Sequence, residues 1–237
     1  MIKINNLICM FILFFTHLCA ANDPIAHLYA SLFGTSDASN YYKEIVQQAC
    51  ADFGKKSTTL SIKKMNTLAD RLIGAQLYAF TLYKAIWLNE EALKEIEALY
   101  GKDIVVWIIY HEVAHYILNH HAKAVFLYAI FSTATLGIGY YFGQFYKNKL
   151  IVVSLASFFA YDAHMYIGKQ YVKEQEKAAD CAAIKVLYAT KQCHIINALM
   201  QYLLLLIAEG RGAETDGWHY SLQEQYNYCC STYASLK

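Results

Sequence analysis

Apolar residues recur along this chain mostly at the spacing of helices, and the pattern predicts a mainly α-helical fold. Tyr41–Phe53 and Ser61–Gly74 each place apolar residues three and four positions apart, which predicts two helices, with Ser61 as the N-cap of the second. Gln76–Leu88 is instead rich in aromatic and branched residues and predicts a strand. A helix is predicted to begin at Asn89 and to end at Gly101.

Two long apolar stretches follow a further apolar helix that is predicted from about Asp103 to Asn119. Ala124–Phe145 contains no charged residue and is long enough to cross about 30 Å of hydrocarbon. Leu150–Gly168 is a second candidate span, with Asp162 and His164 near an end that must meet the interface or protein. Residues 124–145 and 150–168 therefore predict a transmembrane hairpin; the alternative is an apolar hairpin that packs on the core. Later in the chain, Lys191 is predicted to break a helix after Ala189, and Ile195–Ala208 is predicted to be a core helix because it is short for a span.

The N-terminus and the composition also indicate a membrane environment. Residues 1–21 have the form of an export signal, with Lys3, an apolar stretch from Leu7 to Leu18 and small residues before Asn22. An uncleaved anchor is the alternative; residues 22–237 form the predicted domain. Hydrophobic residues make up 57% of the chain and the mean hydropathy is +0.22. A net charge of +1 without a basic stripe gives no indication of nucleic-acid binding.

The cysteines form no recognisable metal or disulfide framework. Cleavage of the signal would leave an odd number without CxxC spacing, so neither a disulfide framework nor a cysteine zinc cluster is predicted. One disulfide in an oxidising compartment stays open, with its pairing unassigned, and no catalytic role is assigned to any cysteine. The seven positions are Cys9, Cys19, Cys50, Cys181, Cys193, Cys229 and Cys230.

The sequence His-Glu-Val-Ala-His lies inside the apolar helix and carries the chemistry. His111 and His115 are four residues apart and therefore share one helix face, from which two ring nitrogens can bind one Zn²⁺. Glu112 can take a proton from a water molecule and pass it to a leaving amine. Burying these groups in an apolar helix is costly unless they bind something. The motif therefore predicts the zinc site of a metallopeptidase.

A third protein ligand is expected in a later acidic segment. Glu176 and Asp180 are four residues apart, so both can face the helix that carries the histidines, and Ala179 and Ala183 on the same face permit close approach. Glu176 is the predicted ligand, and Asp180 is predicted to hydrogen-bond a ligand histidine. Glu174 is the second choice. The alternative is a solvated charged helix.

From Ala75 to Gln225 the chain resembles the HtpX-like and CAAX prenyl endopeptidase family of membrane zinc metallopeptidases. The resemblance rests on the His-Glu-Val-Ala-His motif, on Glu-Lys-Ala-Ala-Asp at 176–180 and on Leu-Asn-Glu-Glu-Ala-Leu at 88–93. It implies an α+β, zincin-like fold, mainly α with a small edge-strand β element, and a membrane hairpin between the two metal-binding helices. It also implies a gluzincin with one Zn²⁺ per chain, the ligands His111, His115 and Glu176, the base Glu112, and Asp180 beside them.

The same resemblance places a substrate and one more catalytic residue. A polypeptide substrate would pair in extended form with the strand near Tyr78–Ile86. His219 would stabilise the developing oxyanion, although Tyr220 replaces the usual proline and Gln225 stands where an arginine is common; a surface-loop histidine is the alternative. His120 would lie about 180° around a continuous helix from His111 and could not share its metal.

Topology and function follow as expectations. Two membrane crossings return the chain to the side on which it began, so the export signal predicts an extracytoplasmic active site, on the periplasmic side of the cytoplasmic membrane in a bacterium, with Lys147 and Lys149 in the cytoplasm. The predicted function is zinc-dependent hydrolysis of peptide bonds in membrane or envelope proteins, with protein quality control as a role implied by the resemblance. The alternatives are a non-enzymatic membrane scaffold with a vestigial zinc site and a soluble zincin without spans. The oligomeric state stays open.

Overall fold

The structure is a computed structural model, and its description covers part of the chain. The residues described are 36–55, 60–65, 78–82, 85–120, 122–123, 130, 133–134, 137, 141, 149–213 and 219–237, with the backbone alone for 82 and 149–167. The predicted signal and most of the first predicted span therefore lie outside the described residues.

The described elements are mainly helices, with one small sheet, and this confirms the predicted fold class. A π-helical turn, Ile207–Arg211, directly follows the helix Cys193–Leu206. In chain order the elements are α1 (Asn40–Asp52), β1 (Ser61–Lys64), β2 (Ala79–Leu82), β3 (Ala85–Leu88), α2 (Glu90–Tyr100), α3 (Lys102–Ile117), α4 (Lys149–Ala189), α5 (Cys193–Leu206) and α6 (Leu222–Ala234).

The sheet has the strand order β1-β3-β2, so β3 is central and β2 lies at an edge. β1 runs parallel to β3, and β2 runs antiparallel to it. All four residues of β3 are buried, and its Trp87 stacks on Phe80 of β2 with ring centroids 5.4 Å apart. A buried central strand of branched and aromatic residues anchors the edge strand beside the helices.

Two predictions for the residues of the sheet, one of a strand and one of a helix, need correction. Gln76–Leu88 is not one strand but contains two, β2 and β3, which pair in the register Leu82 with Ala85. The predicted helix Ser61–Gly74 is wrong at its start, because Ser61 is the first residue of β1 and caps no helix. Pairing with β3 stabilises this strand, and its exposed–buried start fits the two-residue period of a strand. Residues 66–74 lie outside the described part.

α3 lies at the centre of the helices and packs against α1, α2, α4, α5 and β2. It is apolar around most of its circumference, as expected of a helix surrounded by others. The Tyr110 hydroxyl donates to Asp52 over 2.5 Å, and the Gln192 amide donates to the same carboxylate over 2.9 Å. This bond network ties α1 and the α4–α5 turn to the residue before His111.

α4 is one continuous helix of 41 residues. It contains both the second predicted span and the acidic segment with Glu176, and it ends at Ala189, as predicted, with Lys191 in the left-handed region at φ 62°. The following α5 buries Ile195, Leu199 and other residues at helical spacing, which fits the predicted core helix. Among the described residues, Cys193–Arg211 is also the one helix long and apolar enough to cross a membrane, by length and composition alone.

The described cysteines are Cys50, Cys181, Cys193, Cys229 and Cys230, and none of them forms a disulfide with another.

Candidate metal centre

α3 presents His111 and His115 on one face, as the four-residue spacing predicts. Their Nε2 atoms lie 3.0 Å apart. The Glu176 carboxylate of α4 completes the group, with one oxygen 3.1 Å from His111 Nε2 and the other 3.4 Å from His115 Nε2. Within the described part of the chain, these three residues form a cluster whose candidate ligand atoms lie within 4.8 Å of one another.

Close contact between α3 and α4 brings the carboxylate to the histidines. Ala179 and Ala183 are completely buried on the face of α4 that carries Glu176 and Asp180, and small side chains there let the helices approach. Glu174, the second choice for a ligand, is paired with Lys177 over 3.1 Å, and its side chain is 70% exposed. The structure therefore brings Glu176, and not Glu174, to the histidines.

Burial and charge act against each other in this cluster. Burial lowers the pKa of His111, but the Asp180 and Glu176 carboxylates outweigh it and hold that pKa well above its ordinary value. Burial likewise raises the pKa of Glu176, and the hydrogen bonds from His111 and His115 overcome it and lower that pKa. The buried anion is thus compensated by positive charge, which a bound metal ion would also supply.

Asp180 is completely buried, and it bonds His111 on the far side of the ring from the cluster. Its Oδ1 lies 2.7 Å from His111 Nδ1, so the other ring nitrogen, Nε2, is directed to Glu176 and His115. The second oxygen accepts from the Tyr220 hydroxyl and, over 3.0 Å, from the Gln225 amide. The two positions at which the chain departs from the family pattern therefore meet at one carboxylate.

His120 lies beside His115, a contact that the sequence does not predict. α3 ends at Ile117, and Asn119 has a φ of 54°, so the chain turns before His120. The His120 ring then returns to His115, with the two Nδ1 atoms 2.9 Å apart. Burial and the neighbouring His115 lower the pKa of His120 to about 4. His120 is not part of the three-residue cluster, but it contacts one of its members.

Glu112 is held by a residue of the edge strand. The Thr81 hydroxyl lies 2.9 Å from Glu112 Oε2 and 2.8 Å from the Glu112 carbonyl oxygen, and it can donate to either. This contact joins β2 to α3 at the residue that follows His111. An extended chain paired with β2 would therefore run past Glu112.

His219 lies at the outer side of the cluster. Its Nε2 is 3.9 Å from Glu176 Oε1, and its side chain is 53% exposed. The structure thus places His219 near the candidate ligand cluster, but at its solvent side. A half-exposed imidazole at this position can reach a molecule that enters from solvent.

Neither the contact of Thr81 nor that of His120 is predicted by the sequence pattern. Thr81 carries no signal of its own, since its contact joins residues 31 positions apart. For His120 the sequence does contain an indication. Asparagine adopts the left-handed backbone conformation more readily than most residues, so Asn119 is a position at which a helix can end before His120.

Two imidazole nitrogens and one carboxylate oxygen form a donor set that suits zinc. Catalytic zinc sites commonly use three protein ligands of this kind and keep a fourth position for water or substrate. Each histidine of the cluster also has a partner at its other ring nitrogen, Asp180 for His111 and His120 for His115. The residues present therefore fit a catalytic zinc ion.

Comparison with known families gives one match. The model of peptidase family M48 matches residues 39–226, which is most of the chain and includes every residue of the site described above. No curated protein and no solved structure matches the chain.

Proposed function

The chain belongs to peptidase family M48, a family of metallopeptidases, and from this premise we propose that it is a zinc-dependent endopeptidase. The observation that carries the proposal is the meeting of His111 Nε2, His115 Nε2 and the Glu176 carboxylate, with Glu112 beside them. The three ligands would hold one Zn²⁺ per chain. When bound, zinc polarises a carbonyl group and lowers the pKa of a water molecule.

In this proposal Glu112 moves the proton. Its carboxylate takes a proton from the attacking water and delivers it to the nitrogen of the leaving amine. The Thr81 hydroxyl holds Glu112 in place through Oε2. The Asp180 carboxylate accepts a hydrogen bond from the Nδ1–H of His111, which leaves the Nε2 lone pair directed into the cluster. His219, at the solvent side, is placed to donate to the oxyanion that develops at the substrate carbonyl.

The substrate class follows from β2. It is an edge strand of the described sheet, and its Thr81 touches the proposed base. An extended polypeptide that pairs with β2 would present its backbone carbonyls to the site through main-chain hydrogen bonds. We propose unfolded segments of membrane or envelope proteins as substrates, since the chain carries predicted membrane spans; a quality-control function would fit such substrates.

The proposal is tested by replacing the base. Purified Glu112→Gln should retain zinc, since Glu112 is not in the ligand set, and should lose peptidase activity on casein or an unfolded membrane protein by about 100-fold to 10,000-fold. Glu174→Gln makes the same chemical change at an exposed carboxylate and should cleave like wild type.

Metal removal is the second arm of this experiment. Chelation should abolish cleavage, and added Zn²⁺ should restore it. Equal cleavage by wild type and Glu112→Gln would contradict the proposal and favour the scaffold alternative.

A further inference from the structure

His120 is a buried imidazole that shares a hydrogen bond with His115, in which one ring donates and the other accepts. Its side chain lies with the ring centroid 4.8 Å from that of His115, and the two Nδ1 atoms are 2.9 Å apart. The residue is only 6% exposed. At this distance one Nδ1 must carry a proton and the other must accept it, because two N–H groups or two lone pairs would repel each other.

The metal-facing nitrogen of His115 determines which of the two rings, His115 or His120, donates the hydrogen bond. His115 directs its Nε2 to His111 and Glu176, so that nitrogen must offer a lone pair to a metal ion. The proton of a neutral His115 then lies on Nδ1, which donates a hydrogen bond to the lone pair of His120 Nδ1. We propose that His120 is a positioning residue that fixes the tautomer and ring orientation of the ligand His115; this inference rests on the proposed zinc site.

The backbone around His120 holds its ring for this contact. Asn119, at φ 54°, ends the run of α3 and turns the chain back. On the other side, the Gln175 amide of α4 donates to the His120 carbonyl oxygen over 3.1 Å. His120 is therefore fixed between the helix that carries the histidines and the helix that carries Glu176.

A neutral imidazole at position 120 is compatible with the negative charge that the acidic residues already give the site. Asp180 already supports His111 with a buried carboxylate, and Glu112 and Glu176 add two more acidic groups nearby. A neutral imidazole accepts the hydrogen bond from His115 without adding a further buried negative charge, which would cost free energy. The two ligand histidines thus have different partners, one anionic and one neutral.

The experiment measures zinc binding by the full-length protein. Metal-free wild type, His120→Phe and His120→Asn are titrated with Zn²⁺ against a competing chelator. Phenylalanine keeps an aromatic ring at this position but removes the acceptor nitrogen, and it should weaken zinc binding about 10-fold to 100-fold. Asparagine offers an acceptor oxygen and should recover part of that loss. His194→Phe, at a histidine whose side chain is 65% exposed, is the matched control and should bind like wild type.

Cobalt substitution gives a second readout. The visible absorption bands of bound Co²⁺ report ligand geometry, so they should shift in His120→Phe and stay close to wild type in His120→Asn and His194→Phe. Unchanged affinity and bands in His120→Phe, or equal losses with phenylalanine and asparagine, would overturn the inference. Absence of zinc binding by wild type would instead overturn the proposed function, and this inference with it.

A variant pair at Asn119 tests the same point without touching the ring, should His120→Phe fail to fold. Glycine adopts a positive φ readily, whereas valine does so at a high cost. Asn119→Gly should keep wild-type zinc affinity, and Asn119→Val should weaken it by displacing His120. Equal affinity of the two variants would count against the role given to His120.

Discussion

The Thr81 hydroxyl is a side-chain contact through which the edge strand holds the proposed base. A hydrogen bond to a charged carboxylate contributes about 1.5–3 kcal/mol, so its loss should let Glu112 leave the geometry that proton transfer needs. Thr81→Val keeps the shape and removes the donor, and we expect kcat to fall about 10-fold to 100-fold with zinc content unchanged. Thr81→Ser retains the hydroxyl and should keep most activity. A valine variant as active as the serine variant would show that Thr81 does not position Glu112.

A second prediction at the residue scale concerns the buried carboxylate of Asp180. Tyr220→Phe removes one of its donors and leaves a charged oxygen less satisfied, which should lower the free energy of unfolding by about 1–3 kcal/mol and weaken zinc binding. Tyr41→Phe is the matched control, because the Tyr41 hydroxyl donates to an exposed carboxylate of Glu97. Chemical denaturation and chelator competition measure both effects. Equal losses in the two variants would argue against a special role of Tyr220.

Local spacing made part of this site predictable. His111 with His115, and Glu176 with Asp180, are pairs four residues apart, and helical geometry places each pair on one face. The contacts of Thr81, His120 and Tyr220 join separate elements, so no local period contains them. Their positions depend on how β2, the turn at Asn119 and the start of α6 meet the two central helices.

At the scale of elements, the start of α6 determines where Tyr220 lies. Ser221 caps this helix: its hydroxyl accepts from the Glu224 backbone N–H over 3.2 Å, and the Glu224 carboxylate accepts from the Ser221 N–H over 2.9 Å. This capping box fixes the backbone directly after Tyr220. Ser221→Ala should lower the free energy of unfolding by about 1 kcal/mol and also weaken zinc binding through Tyr220 and Asp180.

Ser235→Ala, at the other end of α6, controls for the loss of a serine in Ser221→Ala and should leave zinc binding unchanged.

The contribution of Glu224 to stability should also depend on pH. The bond from the Ser221 N–H lowers the pKa of Glu224 below its ordinary value of 4.5. A lowered folded-state pKa means that the contribution is present above pH 4.5 and is lost as the pH falls through the folded value. The difference in stability between wild type and Glu224→Gln should shrink in that acidic range.

Periodicity predicted elements well where a helix is long and has clear boundaries, and poorly where strands are short. Asn89 and Gly101 bound α2 as expected, because a capping side chain and a positive-φ glycine act locally. Ser61–Lys64 is a strand because β3 lies beside it, and the division of Gln76–Leu88 into β2 and β3 is set by their pairing. Pairing across the chain overrides the local pattern in both cases.

At the scale of the molecule, the contacts of Asp180 restrict the path of the chain. α5 lies between α4 and α6 in sequence, yet Tyr220 and Gln225 both reach Asp180 of α4. If α5 crossed a membrane once, α6 and Asp180 would lie on opposite sides. We therefore expect Cys193–Arg211 to pack against the other helices and not to span a membrane, and its residues Ile195, Ile196, Leu199, Leu203 and Leu206 are buried.

The last prediction concerns the hairpin and the side on which the site lies. α4 runs without a break from the second predicted span to Glu176, so the site would lie about 12 Å beyond residue 168 along the helix. α3 and α4 meet at the site, so the segment between them must cross an even number of times. With two crossings and export of the N-terminal part, an epitope inserted after Asn148 should be cytoplasmic and one appended after Lys237 should be outside.

Protease added to spheroplasts, in which the outer membrane no longer shields the periplasmic face, should then remove the epitope after Lys237 and spare the one after Asn148, and permeabilised spheroplasts should lose both. The epitopes are placed in a Glu112→Gln background, so that the enzyme's own activity cannot remove them. Removal of both epitopes in spheroplasts would mean that the hairpin does not cross the membrane. Protection of the epitope after Lys237 alone would place the active site in the cytoplasm. The reversed result would still fit an even number of crossings, because His111 contacts Glu176, but it would contradict the proposed substrates outside the cytoplasm.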